Sequence, residues 1–405
     1  MENALNNNTT GNDNIAIGFR ALVTNTIGSN NIASGYEALY VNLSGSDNIA
    51  TGNRALRWNS SGSNNIATGN LALNGNTTGH DNIASGNAAL LVNTTGNYNI
   101  ANGTQAMRYN ISGNNNIANG YEALNYNTIG DDNIANGYHS LFFNTTGTYN
   151  IACGYEALRR NETGSSNVAY GRNALDLNFS GDYNTAIGTR SLEKNTTGDS
   201  NSAVGFAALQ SPTTGFNNTA IGYSSDVSLV SANNATALGY NATAPASNYV
   251  RVGNTAVTAI VGQVLFTTSD GRFKTNIQNN VPGLDFILKL KPVTYHFEKA
   301  RYSAFIGEKQ EASYVSELQQ QDAENKLSSG FIAQEVEQTA QELNYDFDGV
   351  YKPQNEKDSY ALGYQQFVVP LVKAVQELKA ENDTLKAQNK TLENRLKIIE
   401  EMLNK

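Results

Sequence analysis

Hydrophobic and polar positions repeat with a strict period of 17 residues through the first 240 positions of the chain. Each unit reads N-I-A-x-G-x-x-A-L-x-x-N-x-T-G-x-x, so a short apolar piece such as Asn14-Ile15-Ala16-Ile17 precedes a glycine and an Ala-Leu pair. A unit of this length is too short for two helices and fits one turn of a parallel β-solenoid. The sequence therefore predicts a mainly β rod of fourteen coils. Its marker glycines are Gly18, Gly35, Gly52, Gly69, Gly86, Gly103, Gly120, Gly137, Gly154, Gly171, Gly188, Gly205, Gly222 and Gly239.

Stacked coils place identical positions above one another, about 4.8 Å apart, so ladders of like side chains are expected. We predict one buried apolar ladder at Ile15, Ile32, Ile49 and Ile66, and a second at Leu22, Leu39, Leu56 and Leu73. Side-chain amides are expected to bond along the stack at Asn25, Asn42, Asn59, Asn76 and onward to Asn195. Two glycine series, those of Gly11 and Gly18, are predicted to serve turns with positive φ.

A coil this thin buries little apolar surface, so a single chain is expected to be marginally stable and to need lateral partners. The Asn-Ile-Ala-x-Gly unit resembles the head repeats of trimeric autotransporter adhesins of the YadA type, which implies a trimer of parallel β-rolls. Tyrosines recur at one repeat position, and we favour a structural ladder of rings over a platform that stacks sugars. These tyrosines are Tyr36, Tyr121, Tyr138 and Tyr155.

Composition and charge narrow the classes of function. A formal charge of −9 without clustered Lys and Arg argues against nucleic-acid binding. Cys153 is interpreted as a small packed side chain, and isolated histidines indicate no metal site and no cofactor. No stretch approaches the roughly 20 apolar residues of a membrane helix, so membrane insertion is not expected. The start lacks the pattern of a secretion signal and falls inside a repeat.

The period ends after Gly239, and an ordinary mixed pattern follows. Residues 249–264 alternate like short strands, with Gly253 and Gly262 as turns. Residues 283–297 predict a helix that ends near Leu290 and a strand after Pro292. Residues 329–343 predict a strand that leads into a helix, and a long amphipathic helix follows from Tyr364.

Two heptad series run along this last helix and indicate a seam for parallel partner helices. The first series is Leu371, Leu378, Leu385, Leu392 and Ile399, and the second is Val375, Asn382, Asn389, Leu396 and Leu403. Asparagines at seam positions can fix register, but this pattern alone leans toward two strands. A trimer is therefore inferred from the rest of the chain.

Four motifs after the repeats resemble the endosialidase-type intramolecular chaperone domain that ends many phage tail fibres and tailspikes. They are Ser269-Asp270-Gly271-Arg272-Phe273-Lys274; Gly283-Leu284 with Lys291-Pro292-Val293; Gly330-Phe331-Ile332-Ala333-Gln334-Glu335-Val336; and Pro370-Leu371-Val372 with Ala374-Val375-Gln376-Glu377-Leu378. The resemblance covers about 135 residues and implies a small α+β domain that assists assembly of a homotrimeric fibre and then cuts itself off.

By the same resemblance Ser269 is the nucleophile, Lys274 is its base, and the cut falls between Thr268 and Ser269. A serine hydroxyl needs a base, and a lysine serves only when neutral, which burial or a nearby positive charge such as Arg272 favours. Asp270, Arg272, Gln334 and Glu335 complete the supporting motif. The alternative interpretation is that Ser269 and Asp270 cap a turn and Lys274 lies on a solvated face.

We predict four regions: a shaft at 1–240, a β-rich junction at 241–268, a chaperone auto-peptidase domain at 269–363 and a coiled-coil helix at 364–405. The favoured function is a trimeric host-contact fibre of a virion, with an unidentified receptor or glycan as partner. The alternative is a bacterial surface adhesin that retains a non-cleaving chaperone. A glycan-cleaving enzyme is disfavoured because scattered acids such as Glu37, Asp47 and Glu122 form no pair.

Overall fold

The Asn-Ile-Ala pieces of the repeat form the strands of one long parallel sheet. A computed structural model of the chain describes residues 3–257, 260, 269–308 and 326–404. These residues fall into two compact units. The first lies within Met1–Val257 and Ser303–Lys309, and the second lies within Thr258–Tyr302 and Gln310–Lys405.

Fifteen strands of the first unit pair in parallel, in chain order. Each residue lies opposite the residue one repeat later, such as Ile15 opposite Ile32, except in the last pair, where Thr236 lies opposite Val250. They are β1 Ile15–Ile17, β2 Ile32–Ser34, β3 Ile49–Thr51, β4 Ile66–Thr68, β5 Ile83–Ser85, β6 Ile100–Asn102, β7 Ile117–Asn119, β8 Ile134–Asn136, β9 Ile151–Cys153, β10 Val168–Tyr170, β11 Thr185–Ile187, β12 Ser202–Val204, β13 Thr219–Ile221, β15 Thr236–Leu238 and β17 Val250–Val252. A second, two-stranded parallel sheet contains β14 Asp226–Val227 and β16 Thr243–Ala244. The predicted β-solenoid of about fourteen turns is confirmed.

The isoleucine ladder is not buried, and that prediction was wrong. Ile32 is 37% exposed, whereas Ala33, the middle residue of the same strand, is completely buried. Successive side chains of a strand point to opposite sides, so only the middle one of three faces inward. The predicted leucine ladder is confirmed, because Leu22, Leu39 and their successors are fully buried. The narrow interior thus holds the methyl group of the strand alanine together with the side chains of the Ala-Leu pair.

The predicted asparagine ladder is confirmed. The Asn42 amide donates 2.7 Å to Asn25 Oδ1 and 2.8 Å to the Gly45 carbonyl. A carboxamide carries both donors and acceptors, so each amide can accept from the next coil while it donates to the one before. A second asparagine ladder, which was not predicted, joins Asn14, Asn31 and Asn48. Asn31 Nδ2 donates 3.0 Å to Asn14 Oδ1, and Asn48 repeats the bond one coil later.

Glycine is required in the two series for different physical reasons. Gly35 has φ +143°, as predicted for a turn that L residues rarely adopt. Gly28 has no positive φ, so the prediction for that series was wrong. A Cβ at Gly28 would lie 2.2 Å from the Gly45 carbonyl oxygen, so close approach of the next coil excludes any side chain there.

Strand β17 and the positive φ of Gly253, +75°, agree with the short strand and the turn predicted at these residues. The strand predicted further on, around Val264, lies outside the described residues. The first unit also includes Ser303–Glu308, where Ser228 Oγ donates 2.6 Å to the Ile306 carbonyl. There Arg251 pairs with the buried Glu308 at 3.2 Å.

The second unit is built around aromatic side chains. Its core contains the buried Phe286, Val336, Ala340, Phe347 and Phe367. Strand β18 Val293–His296 pairs antiparallel with β19 Leu327–Gly330, and β20 Val350–Tyr351 pairs with β21 Ala361–Leu362. The α-helices of the described chain are α1 Leu284–Ile287, α2 Lys299–Ile306, α3 Ala333–Glu342 and α4 Val368–Leu403, and 3-10 turns cover Gly271–Phe273 and Tyr364–Phe367.

These elements confirm the predicted strand after Pro292, the strand that leads into a helix, and the long last helix. Helix α1 ends at Ile287, about a turn before the predicted end. The first heptad series of α4 is exposed, with Leu378 at 52%. Its coiled-coil partners remain a prediction. Within the part of the chain that the structure describes, we find no helix with the length and apolar character to cross a bilayer.

Candidate functional site

The side chains of Ser269 and Lys274 meet at the beginning of the second unit's described chain. Lys274 Nζ lies 2.7 Å from Ser269 Oγ, within hydrogen-bond distance. The two residues are five apart in sequence, so an extended chain would keep them well separated. A tight turn between them is therefore needed.

The 3-10 turn Gly271–Phe273 supplies this geometry. Asp270 lies at its N-cap, where the carboxylate accepts from the Arg272 backbone N–H at 2.9 Å. At the other end, the Lys274 N–H donates to the Gly271 carbonyl at 3.2 Å. A short polar N-cap and a small second residue favour this kind of turn. The part of the alternative interpretation that gives Asp270 a capping role therefore agrees with the structure.

Arg272 turns back onto Asp270. Its guanidinium Nη2 lies 2.6 Å from Asp270 Oδ2, and Nε donates to the same oxygen at 2.9 Å. These hydrogen bonds lower the pKa of the Asp270 carboxyl and raise the pKa of Arg272. The positive charge of Arg272 is therefore offset by its own neighbour. It gives Lys274 less electrostatic help than the sequence analysis expected.

Solvent reaches the serine and the lysine from several sides. Both side chains are exposed in the single chain, and the intervening Arg272 is 81% exposed. A serine-lysine pair becomes a nucleophile and base when its lysine is desolvated. The hydrogen-bonded geometry of the pair is thus present, but the described residues around it do not shield it from water. Thr268, the other side of the predicted cut, lies outside the described residues.

Gln334 and Glu335 belong to the first turn of α3. Glu335 lines a cavity of about 330 Å³ together with Lys289, Lys291 and Ile332, among others. Within the described residues, neither Gln334 nor Glu335 makes a hydrogen bond or an ion pair with the Ser269–Lys274 segment. The structure therefore brings together four of the predicted supporting and catalytic residues and leaves these two apart.

The glycines of the motifs have contacts that the sequence analysis did not foresee. The Leu284 N–H donates 2.7 Å to Glu377 Oε2, and a Cβ at Gly283 would lie 2.3 Å from that oxygen. Tyr364 Oη accepts from the Phe331 N–H at 3.1 Å, and a Cβ at Gly330 would lie 2.3 Å from the hydroxyl. The separated motifs are thus one packing arrangement. The sequence signals for these contacts were the Gly330-Phe331 pair and the Gln376-Glu377-Leu378 piece.

One segment of the chain, which starts at Ser269, matches a known family. Residues 269–345 match the family described as chaperone of endosialidase. The matched residues begin at the serine of the pair and contain α1, α2 and α3. This match confirms the resemblance drawn from the motifs, for this region of the chain. Among the curated proteins, none matches the chain.

The tyrosines of the solenoid form the structural ladder that we favoured. Tyr121 stacks on Tyr138 with ring centroids 5.4 Å apart, and Tyr138 stacks on Tyr155 at 5.0 Å. Arg172 covers the next ring face, 5.5 Å from the Tyr155 centroid. A sugar stacks on an open ring face, so rings that cover one another make a poor sugar platform.

Two of the scattered acids of the solenoid, Glu37 and Glu122, contact basic side chains. Glu37 is buried and contacts Arg57 at 3.0 Å, Arg54 at 3.2 Å and Arg20 at 3.3 Å. Glu122 lies 2.8 Å from His139. Paired glycosidase carboxylates would face each other across a cleft, about 5–10 Å apart. Glu37 thus pairs with arginines and Glu122 contacts a histidine ring on the solenoid.

Proposed function

We propose that three copies of the chain assemble into a fibre shaft, and that the chaperone region drives assembly and releases itself by cleavage before Ser269. The observation that carries this proposal is the 2.7 Å contact between Lys274 Nζ and Ser269 Oγ at the first residue of the chaperone region. A β-solenoid followed by such a region is the build of a phage tail-fibre-like protein. The shaft would contact a host-surface receptor or glycan.

The chemistry follows from the position of the serine beside the bond to be cut. Neutral Lys274 would accept the hydroxyl proton while Ser269 Oγ attacks the carbonyl carbon of residue 268. The bond between that carbon and the Ser269 nitrogen then breaks, an ester to Ser269 Oγ forms, and the nitrogen takes the proton. Water hydrolyses the ester and leaves a carboxylate on residue 268 and a free amine on Ser269. Each chain would react once.

The exposure of the pair gives a reason for cleavage to wait for assembly. Neighbouring copies packed around the 3-10 turn would exclude water and favour the neutral lysine. The cut would then occur only after three chains have associated. Cleavage would report that assembly is complete.

The repeat gives a reason for needing a chaperone. A shift by one 17-residue coil places nearly identical side chains opposite each other, so parallel copies could associate in several registers. The exposed heptad seam of α4 could hold three chain ends level before the coils associate. Lateral contacts would then form in one register.

A second candidate function is a bacterial surface adhesin with a retained, non-cleaving chaperone. The observation in its favour is the exposure of Ser269 and Lys274 together with the pairing of Arg272 to Asp270. Such a turn would also fit a purely structural role. In that case assembly would proceed and the chain would stay intact.

Intact mass and denaturing gels of freshly purified protein test the proposal. The parent should give a fragment of 268 residues, about two thirds of the 43.5 kDa chain. Ser269→Ala and Lys274→Ala should each leave the chain whole. Lys326→Ala is the matched control, since it removes an exposed lysine of the same region outside the pair; it should cleave like the parent.

A parent that forms trimers and stays whole would refute self-cleavage and support the adhesin alternative. Cleavage that persists in Lys274→Ala would remove the lysine from the mechanism. Cleavage of a chain that sediments as a monomer would contradict the coupling between the cut and assembly.

A further inference from the structure

The outward side of the fifteen-stranded sheet presents two columns of side chains, which together we call the outer face. Each strand contributes its first and third residues, while the middle residue points inward. The first column is Ile15, Ile32, Ile49, Ile66, Ile83, Ile100, Ile117, Ile134, Ile151, Val168, Thr185, Ser202, Thr219, Thr236 and Val250. The second column is Ile17, Ser34, Thr51, Thr68, Ser85, Asn102, Asn119, Asn136, Cys153, Tyr170, Ile187, Val204, Ile221, Leu238 and Val252.

Charge is excluded from the outer face. None of its positions is Asp, Glu, Lys or Arg, although the chain has 36 acidic and 27 basic residues. Depletion of charge is what distinguishes the core of a protein interface from ordinary surface. Large continuous apolar patches also mark interfaces. Parallel sheets, moreover, are normally covered on both faces, and here one face is open.

The apolar stripe of the outer face changes column part-way along the solenoid. In the first column it runs through isoleucines to Ile151 and Val168, and polar residues follow from Thr185 to Thr236. In the second column the positions from Ser34 to Asn136 are polar, and the apolar run starts at Tyr170. The two columns are about 7 Å apart along the strand. The stripe therefore moves sideways once, at strand β10.

We propose that the outer face is buried against the outer faces of other copies of this chain, parallel and level with one another, and that the sideways step marks the register. The proposal rests on the three-chain assembly proposed above and names the surface that holds the shafts together. A ladder with one isoleucine per coil repeats about every 4.8 Å, and another copy of the same solenoid presents the same repeat. The exposed heptad seam of α4 independently favours parallel copies of this chain.

The step removes part of the degeneracy of the repeat. Level copies place apolar residues of strands β1–β10 beside each other and those of β10–β17 beside each other in the adjacent column. A slip by one coil sets Tyr170 against the level of Cys153 or Ile187, and each further coil of slip adds another mismatched pair. A uniform isoleucine column would carry no such mark.

Cys153 provides a reporter that needs no introduced label site. It is the only cysteine of the sequence and lies in the second column, beside the step. The experiment treats the full Ser269→Ala chain with a short bismaleimide and measures cross-linked dimer on a denaturing gel. The matched control carries Cys153→Ser and Ser180→Cys, which moves the thiol to an exposed turn away from the outer face.

We expect Cys153 to cross-link at least ten times faster than the Ser180→Cys control. Ile66→Glu, Ile83→Glu and Ile100→Glu combined should abolish this difference, even if α4 still holds the chains together. The combined control Ser61→Glu, Thr78→Glu and Thr95→Glu adds the same charge on exposed turns and should cross-link like the parent. Register is tested by mixing Cys153 chains with chains that carry Cys153→Ser and Asn119→Cys, two coils away. Links between unlike chains should be rare.

Each outcome separates this inference from the proposed function. A trimeric chain whose Cys153 reacts no faster than the control, or whose isoleucine variant cross-links like the parent, overturns the outer face as the interface and leaves assembly standing. Frequent links between Cys153 and Asn119→Cys overturn the register mark alone. A monomeric parent overturns both, and binding of a glycan array through the isoleucines would assign the face to a host surface instead.

Discussion

The two units of the chain solve the problem of a stable core in opposite ways. The solenoid uses the same alanine, leucine and asparagine in each coil, and its buried side chains differ little from Ala33 to Ala203. The second unit uses unlike aromatic residues, such as Phe286 against Phe347 with ring centroids 5.0 Å apart. The core and asparagine-ladder contacts of the solenoid have near copies one coil away, whereas contacts of the second unit occur once.

On the assembly proposed above, this difference gives a reason for the two units to occur in one chain. A periodic stack has many near-equal pairings between copies, and its sequence gives weak information about register. A unit with a unique core has one arrangement, so in the proposed assembly it would define a common starting point for three chains. In that assembly the periodic unit would supply length, and the aperiodic unit would supply alignment.

Gly120→Ala should have the largest effect, because it breaks the periodic side of this comparison. Gly120 has φ +134°, and an added Cβ would lie 2.6 Å from the Gly137 carbonyl oxygen. Strain and clash together should cost about 3 kcal/mol or more. Gly271→Ala is the control, since no atom lies within 4 Å of its added Cβ and no positive φ is required. Urea unfolding followed by circular dichroism measures both. Equal midpoints would contradict the role given to close coil contact.

Asn110→Ala and Asn195→Ala should differ by a smaller amount and sharpen the account of the ladder. Asn110 donates 2.8 Å to Asn93 Oδ1 and accepts from Asn127 at 2.7 Å, whereas the buried Asn195 Oδ1 has no hydrogen-bond partner in the described residues. Pro212 stands where the next ladder residue would be. Loss of Asn110 should cost about 1–3 kcal/mol, and loss of Asn195 about 1 kcal/mol less. Thermal unfolding of both variants provides the measurement; a larger cost at Asn195 would contradict cooperative bonding along the stack.

Glu337→Gln should have the smallest effect and concerns the aperiodic unit alone. Hydrogen bonds from Lys352, 2.6 Å away, and from Tyr360 lower the pKa of the Glu337 carboxyl below its ordinary 4.5. The carboxylate therefore stabilises the folded unit fully above about pH 4.5, and that contribution is lost as pH falls through the lowered pKa. The melting temperature of the parent should fall over this range. The variant should show a weaker fall, and an identical pH profile would remove the pair from acid stability.

The sequence predicted the solenoid and the order of elements in the second unit because both leave local patterns. The 17-residue period was enough to predict the parallel stack, the leucine ladder and the asparagine ladder that contains Asn25. It could not show that Ile32 points outward, because the pattern of a three-residue strand does not reveal which of its two faces lies inside. Only the narrow interior, in which the strand alanine is buried with the Ala-Leu pair, decides the direction.

The candidate site was predicted in part. Motif spacing led to Ser269 and Lys274, and the turn that joins them depends on the Asp270 cap, which is a local feature. The pairing of Arg272 with Asp270 was missed, because the sequence does not show whether Arg272 pairs with Asp270 or with an acidic residue elsewhere in the fold. The hydrogen bond of Leu284 with Glu377 was missed because it spans 93 positions of sequence, where no periodicity acts.

Sedimentation equilibrium of the full Ser269→Ala chain tests the central claim most directly, since this variant stays whole whether or not the parent cleaves itself. The account predicts one species at three times the 43.5 kDa of a single chain, and loss of that species when Leu378→Glu and Leu385→Glu charge the exposed seam of α4. A folded species at 43.5 kDa with an unchanged circular dichroism spectrum would contradict it.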